Sequence, residues 1–234
     1  MSIIQDSGLV IGLRNYQEEG MIIKILTKEY GIINFLNKRI SKKQRPILQI
    51  GNLLNCQFWL KTGQQLAISQ KYELDRSYSS LIILESSKIT LLKRINNVID
   101  LMLPEGEANL TIFKYTCEFL EELVEKSCFI SYNQSFINWQ LLMLKELGFS
   151  LDLSCCAVTQ ATENLHYISP KTGRAVCYEV GNKYHDKLFL IPKFLLQNNH
   201  SSSIDEIKSA LNITEFFFKK VFNEHKVAKS KQQY

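Results

Sequence analysis

The chain has 234 residues, 45% hydrophobic and 22% charged, the balance of a folded protein with a real core rather than of a disordered or fibrous one. The formal net charge of +5 is compatible with nucleic acid but does not identify it, so the placement of the cations matters more than their sum. Six cysteines at irregular spacing read as reduced thiols. The start of the chain lacks a basic leader and an apolar region, and its aliphatic runs fall far short of the ~20 residues that span a bilayer, which gives the expectation of a cytoplasmic protein without a membrane role.

From Ser7 to about Leu74 the pattern is that of short strands: Gly8 to Leu13, Met21 to Leu26, Ile32 to Asn37, Leu53 to Leu60 and Leu66 to Glu73. Turn residues such as Gly31, Gly51-Asn52 and Thr62-Gly63 separate them. Five closely spaced strands with no long helix between them predict a small antiparallel barrel.

Beyond Arg76 the period becomes helical, with segments near Lys88 to Leu103, Ala108 to Lys126 and Gln134 to Leu147. In the second of these, Leu110, Phe113, Cys117, Leu120 and Val124 fall on one stripe. Pro104 and Gly148 close the first and third. The stretch from Ser150 to Pro192 breaks into short turn-rich pieces around Ser169-Pro170-Lys171-Thr172-Gly173. Two capping patterns, Ser203 with Glu206 and Asn212 with Glu215, predict two final helices, followed by a disordered tail from Lys226. The expected organisation is α+β: a barrel domain over 1–75, a mostly helical domain over 76–225 that includes the irregular region 150–191, and the tail 226–234.

No phosphate-binding P-loop, dinucleotide fingerprint, zinc-protease or nucleophile-elbow motif is present, and none of the ten glycines is followed by lysine. Four histidines (166, 185, 200 and 225) lie singly. These features lead to the expectation of no enzymatic activity, no cofactor and no bound metal. A hydrolase or transferase site assembled within 150–192 would need a convergent cluster of titratable groups.

The sharpest charge feature is Lys38, Arg39, Lys42, Lys43 and Arg45, five cations within eight residues and no acid among them. They follow a predicted strand and precede Pro46, as a loop at the barrel rim would. A cationic loop beside an antiparallel barrel is the electrostatic groove that OB-folds use for single strands; the bland reading is a solvated basic loop. Tyr16, Tyr30, Phe35, Phe58 and Trp59 are aromatics that could stack bases, most of them expected in the core. Phe58 and Trp59 are adjacent, so one points inward and the other outward; Trp59 or Phe58 is then a candidate DNA contact, and Trp59 is the one carried forward.

Several segments together resemble the bacterial RecO family. These are Ser7-Gly8-Leu9-Val10-Ile11, an acid at Glu18 or Glu19, Leu26-Thr27-Lys28-Glu29-Tyr30-Gly31, and the basic loop with the Arg-x-x-Leu-Gln stretch ending at Gln49. Farther on come Glu146 to Leu153, Tyr167 to Val176, and Pro192 to Leu196. The resemblance implies an N-terminal five-stranded OB-fold barrel and a mostly α-helical C-terminal domain. It implies a mediator of recombination in DNA repair that is nucleoid-associated, binds single- and double-stranded DNA and anneals complementary strands. Such a mediator acts with RecR to load the RecA recombinase onto DNA coated by single-stranded-DNA-binding protein. A protein-interaction adaptor without DNA binding is the alternative.

Many relatives carry a zinc knuckle of two Cys-x-x-Cys pairs. Here the pairs read Cys156-Ala157-Val158-Thr159 and Cys177-Tyr178-Glu179-Val180, so two of four thiolates are missing and the resemblance is to the zinc-less branch, with a degenerate knuckle packed by Leu165, Tyr167, Ile168 and Val176. Cys155, His166 and His185 are the residues that could complete a ligand set. The family also binds the acidic, Phe-ended tail of single-stranded-DNA-binding protein. The last helix offers Phe216, Phe217, Phe218, Val221 and Phe222 with Lys219 and Lys220, of which Phe217, Lys219 and Lys220 are the candidate contacts; the bland reading is that all five apolar residues pack the helical domain.

Overall fold

The structure, a computed structural model, describes residues 3–60, 66–197 and 202–231; the turn expected at Thr62-Gly63 lies outside them. The chain divides into two compact units between Lys126 and Ser127.

In the first unit, β1 (Ile3–Tyr16), β2 (Gly20–Thr27), β3 (Gly31–Asn37), β4 (Asn52–Trp59) and β5 (Leu66–Ser77) close into a barrel in the order β1-β2-β3-β5-β4. Alternation sets the faces. In β4, Leu54, Cys56 and Phe58 are buried while Asn55, Gln57 and Trp59 point out. The core joins Val10, Ile23, Ile25, Phe35, Leu54 and Phe58, with the Phe35 and Phe58 rings 4.7 Å apart.

Two features depart from the sequence reading. The barrel is not wholly antiparallel, because β3 and β5 pair in parallel through Asn34↔Leu66, Phe35↔Ala67 and Leu36↔Ile68. A closed ring with an odd number of strands cannot alternate direction throughout. The outer strands are also longer than their hydrophobic pattern. β1 begins at Ile3 because its polar Gln5 and Asp6 pair with Gln57 and Cys56, and a bulge between Val10 and Gly12 bends it from β4 onto β2.

The Leu26-to-Gly31 motif acquires a physical meaning here. The buried Thr27 hydroxyl donates to the Gly31 carbonyl (2.8 Å) and accepts the Tyr30 N–H (3.1 Å), while Gly31 at φ +68° lies against the backbone of Glu107.

Among the described residues this unit also holds α1 (Tyr78–Leu81), α2 (Ser86–Met102) and α3 (Leu110–Glu125). The Asn109 side chain caps α3 by accepting the Ile112 N–H (2.9 Å). The buried stripe of α3 is Ile112, Phe113, Thr116, Phe119, Leu120 and Leu123, shifted from the expected one, and Leu110 is exposed. Thr116 disguises the stripe. Its hydroxyl bonds the Ile112 carbonyl within the helix (2.7 Å), which lets a polar residue occupy a core position.

In the second unit, α4 (Phe129–Glu146) packs against a long final helix, and the chain between them forms a three-stranded sheet. Its strands are β6 (Leu165–Ile168), β7 (Ala175–Cys177) and β8 (Phe189–Leu190), in the order β7-β6-β8, with a short α5 (Tyr178–Gly181) and two 3-10 turns. The final helix, α6 (Ile204–Lys231), is continuous where two were expected. Ser203 and Glu206 form the capping box (3.0 and 3.2 Å), but Asn212 and Glu215 sit inside the helix. The buried Ile207, Ala210, Ile213, Phe217 and Val221 keep one face apolar across them. A capping pattern ends no helix without a breaker. α6 also runs through Lys231, into the stretch expected as tail. Among the described residues no helix is long and apolar enough to cross a membrane.

Candidate nucleic-acid interface

The cationic loop leaves β3 at Lys38 and folds into two overlapping turns. Gln44 and Arg45 donate their N–H groups to the Ser41 carbonyl (3.0 and 3.3 Å), and Ile47 and Leu48 donate to that of Gln44 (3.1 and 3.2 Å). Ser41 also donates its N–H and hydroxyl to the Gln44 side-chain oxygen (2.9 and 3.0 Å). Ile40 and Leu48 are sunk in the barrel core and anchor both ends. With its apolar residues spent inward, the loop presents Lys38, Arg39, Lys42, Lys43 and Arg45 outward, all exposed or half-exposed.

Arg39 pairs with Glu19 (2.8 Å); Lys38, Lys42, Lys43 and Arg45 form no ion pair among the described residues. The fully buried Asn52 fixes the far end of the loop. Its amide donates to the Ile47 carbonyl (2.9 Å), and its oxygen accepts the Ser77 and Ser79 hydroxyls (3.0 and 2.9 Å).

Phe58 is buried and Trp59 is half-buried on the outer face. Cross-strand register sets Trp59 in a row with Ile3 on β1 and Ile68 on β5, and the row continues through Leu36 on β3 and Ile22 on β2 to Arg14. Ile3 and Ile68 are exposed, so this is an open apolar strip. Its β3 member, Leu36, lies two residues before Lys38, at the end of the barrel from which the cationic loop departs. Of the other aromatics, Phe35 is buried and Tyr30 packs edge-on to Phe58, leaving Trp59 as the outward ring of β4.

Nearer the middle of the same face, Lys24 is held by Asp100 and Glu105, and Asn34 donates to Glu105 (3.0 Å). Burial pulls the Lys24 ammonium down, but the two carboxylates outweigh it and the net pKa is raised. Burial likewise opposes the Glu105 carboxylate, yet hydrogen bonds from Lys24 and Asn34 leave it below the ordinary value. The segment carrying Glu105 is itself bonded to β3, where Ile32 accepts the Gly106 N–H (2.9 Å). Sequence reasoning missed this clamp, since no local pattern links Lys24 to residues some eighty positions away.

On α6, Lys219 is exposed and Lys220 donates to the Lys171 carbonyl (2.7 Å). Phe217 is buried, against expectation, because it falls on the apolar stripe that covers Gly173. Phe216 is exposed, edge-on to Phe189 (5.2 Å), and Phe222 is half-buried.

In the region read from the sequence as a degenerate knuckle, Cys156 and Cys177 lie close together. The Cys177 N–H donates to Cys156 Sγ (3.3 Å), and the Thr159 hydroxyl lies 3.7 Å from Cys177 Sγ. Burial pushes the Cys156 thiol up, but hydrogen bonds from Thr159, Cys177 and Val158 prevail and bring it to about 6. Cys155 turns toward Gln160 and Arg174, His166 lies against the Tyr167 and Tyr178 rings, and His185 pairs with Asp186. A closed tetrahedral zinc site does not fit two thiolates with Thr159 and Val180 in the other positions. Among the described residues no three His, Cys, Asp or Glu side chains converge on a metal position.

Residues 1–78 match the family described as Recombination protein O N terminal, and residues 85–227 match Recombination protein O C terminal. The chain is similar to the DNA repair protein RecO of Rickettsia canadensis (strain McKiel), 34% identical over 232 residues that cover 99% of this chain and 94% of that protein. It is equally similar to the DNA repair protein RecO of Rickettsia bellii (strain OSU 85-389), 34% identical over 230 residues and 98% and 93% of the two chains. That of Rickettsia felis is 33% identical over 230 residues, 98% and 95%. With both halves matched and near-complete coverage at this identity, the chain belongs to the RecO family.

Proposed function

We propose that this chain is a recombination mediator in DNA repair. It binds single- and double-stranded DNA through Lys38, Arg39, Lys42, Lys43 and Arg45, and stacks an unpaired base on Trp59. It anneals complementary strands and, with RecR, helps load the RecA recombinase onto DNA coated by single-stranded-DNA-binding protein. The observation that carries this reading is the cationic loop itself, whose five cations all face solvent at the edge of an open apolar strip.

Annealing makes and breaks no covalent bond and needs no catalytic group. What it needs is neutralised phosphate, so that two anionic strands can approach, and a multivalent cationic loop supplies that by releasing condensed counterions. The Lys24 clamp removes one cation from the middle of the barrel face, which directs the strand toward the loop and Trp59. For the tail of single-stranded-DNA-binding protein, Phe216 and Phe189 with Lys219 form the accessible pairing of ring and cation on the second unit.

The reading is tested by annealing of labelled complementary oligonucleotides. The wild type accelerates annealing, and a variant with all five loop cations changed to alanine does not. Equal acceleration by both would move the DNA site elsewhere.

A further inference from the structure

The tip of the β1–β2 hairpin carries two adjacent acids, Glu18 and Glu19, and the fold holds it against the cationic loop. The Ile40 N–H donates to the Glu19 carbonyl (2.9 Å). Gly20 nests so closely that a Cβ there would come within 2.9 Å of the Lys38 carbonyl oxygen and 3.0 Å of that of Asn37. The Glu19 carboxylate then reaches the Arg39 guanidinium at 2.8 Å, at the edge of a shallow cleft also lined by Lys42, Gln44 and Arg45.

The backbone bond and the glycine packing fix the hairpin tip whatever the side chain at position 19. The ion pair adds little to that, since it is 82% exposed on Arg39 and 60% on Glu19, and exposed pairs stabilise folds weakly. A carboxylate and a phosphate engage a guanidinium in the same way. Glu19 therefore occupies in the free protein the position a DNA phosphate would take, and the adjacent Glu18 adds a second negative charge to the same hairpin tip.

We propose that Glu19, assisted by Glu18, is an intramolecular competitor for DNA phosphate at Arg39. It holds the guanidinium when DNA is absent, yields to a strand, and returns as the strand leaves, which lowers affinity and speeds release. Release matters for annealing, because a strand held too tightly on the cations is not free to pair along its length. This inference rests on the loop being the DNA site.

The test is a titration of labelled single-stranded oligonucleotide with the wild type, Glu19→Gln and Glu18→Gln/Glu19→Gln. Both variants are expected to bind roughly two- to fivefold more tightly, the range set by one exposed ion pair, and to dissociate more slowly. Arg39→Ala should cost more affinity in the Glu19→Gln background than in the wild type, where Arg39 is already engaged. Glu19→Ala keeps the backbone bond and should act in the same direction. Unchanged or weaker binding by the Glu19 variants, while Lys42→Ala/Arg45→Ala still weakens binding, overturns the competitor. If Lys42→Ala/Arg45→Ala also binds like the wild type, the loop is not the DNA site and the inference fails with it.

Discussion

The Asn52 side-chain amide donates to the Ile47 carbonyl at 2.9 Å, and so ties the start of β4 to the last turn of the cationic loop from a fully buried position. Replacement by alanine leaves that carbonyl and the Ser77 and Ser79 hydroxyls without their shared partner. The expected loss is about 1–3 kcal/mol in denaturant unfolding, with weaker DNA binding as the loop loosens. Wild-type stability in Asn52→Ala would contradict this role.

Gly31 is the second structural test. At φ +68°, with the Glu107 backbone where a Cβ would lie, Gly31→Ala combines left-handed strain with a backbone clash. We expect a loss of at least about 2 kcal/mol, read as a lowered thermal midpoint.

The Lys24 clamp predicts a pH dependence with two edges. Glu105 has a folded pKa below its ordinary 4.5, so its contribution is complete above that value and is lost as the pH falls through the folded pKa. Lys24 has a folded pKa above 10.5, so its contribution is complete below that value and is lost as the pH rises through the folded pKa. Glu105→Gln should therefore cost stability at pH 7, by about 1 kcal/mol for a half-buried pair, and cost progressively less in acid. A cost that stayed constant into acid would rule the clamp out.

The Cys156–Cys177 region predicts purified protein without stoichiometric zinc and with an unchanged melting curve in chelator, because two thiolates, Thr159 and Val180 do not close a tetrahedral site. One zinc per chain by elemental analysis would overturn this.

On α6, a synthetic acidic peptide ending in phenylalanine should bind the wild type and lose affinity severalfold with Lys219→Ala or Phe216→Ala. Equal affinity for all three proteins would remove this helix from the partner site.

Much of this was legible in the sequence where the signal is local. Alternation puts Phe58 and Trp59 on opposite faces, although which of them points out is fixed only by the fold, and a run of cations ending at Pro46 reads as an exposed loop. What escaped is long-range or compensated. The parallel β3–β5 pairing follows from ring closure, not from either strand's residues. Lys24 looks like another free cation until Asp100 and Glu105 arrive from the far end of α2 and the turn after it. Asn52 looks like a turn residue, yet it is a buried hub. Phe217 and Phe216 are neighbours whose fates depend on which one the stripe of α6 turns inward, and five nearby apolar residues leave that undecided in sequence.

Whether the cationic loop binds phosphate is read from the salt dependence of DNA affinity, measured by anisotropy of a labelled single strand across a series of salt concentrations. Phosphate binding by Lys38, Arg39, Lys42, Lys43 and Arg45 predicts that neutralising all five weakens affinity about equally for all base sequences. It also predicts that the slope of log affinity against log salt flattens by about 0.7 for each phosphate left without its cation. An unchanged affinity and slope in the five-fold variant would place the DNA site away from this loop.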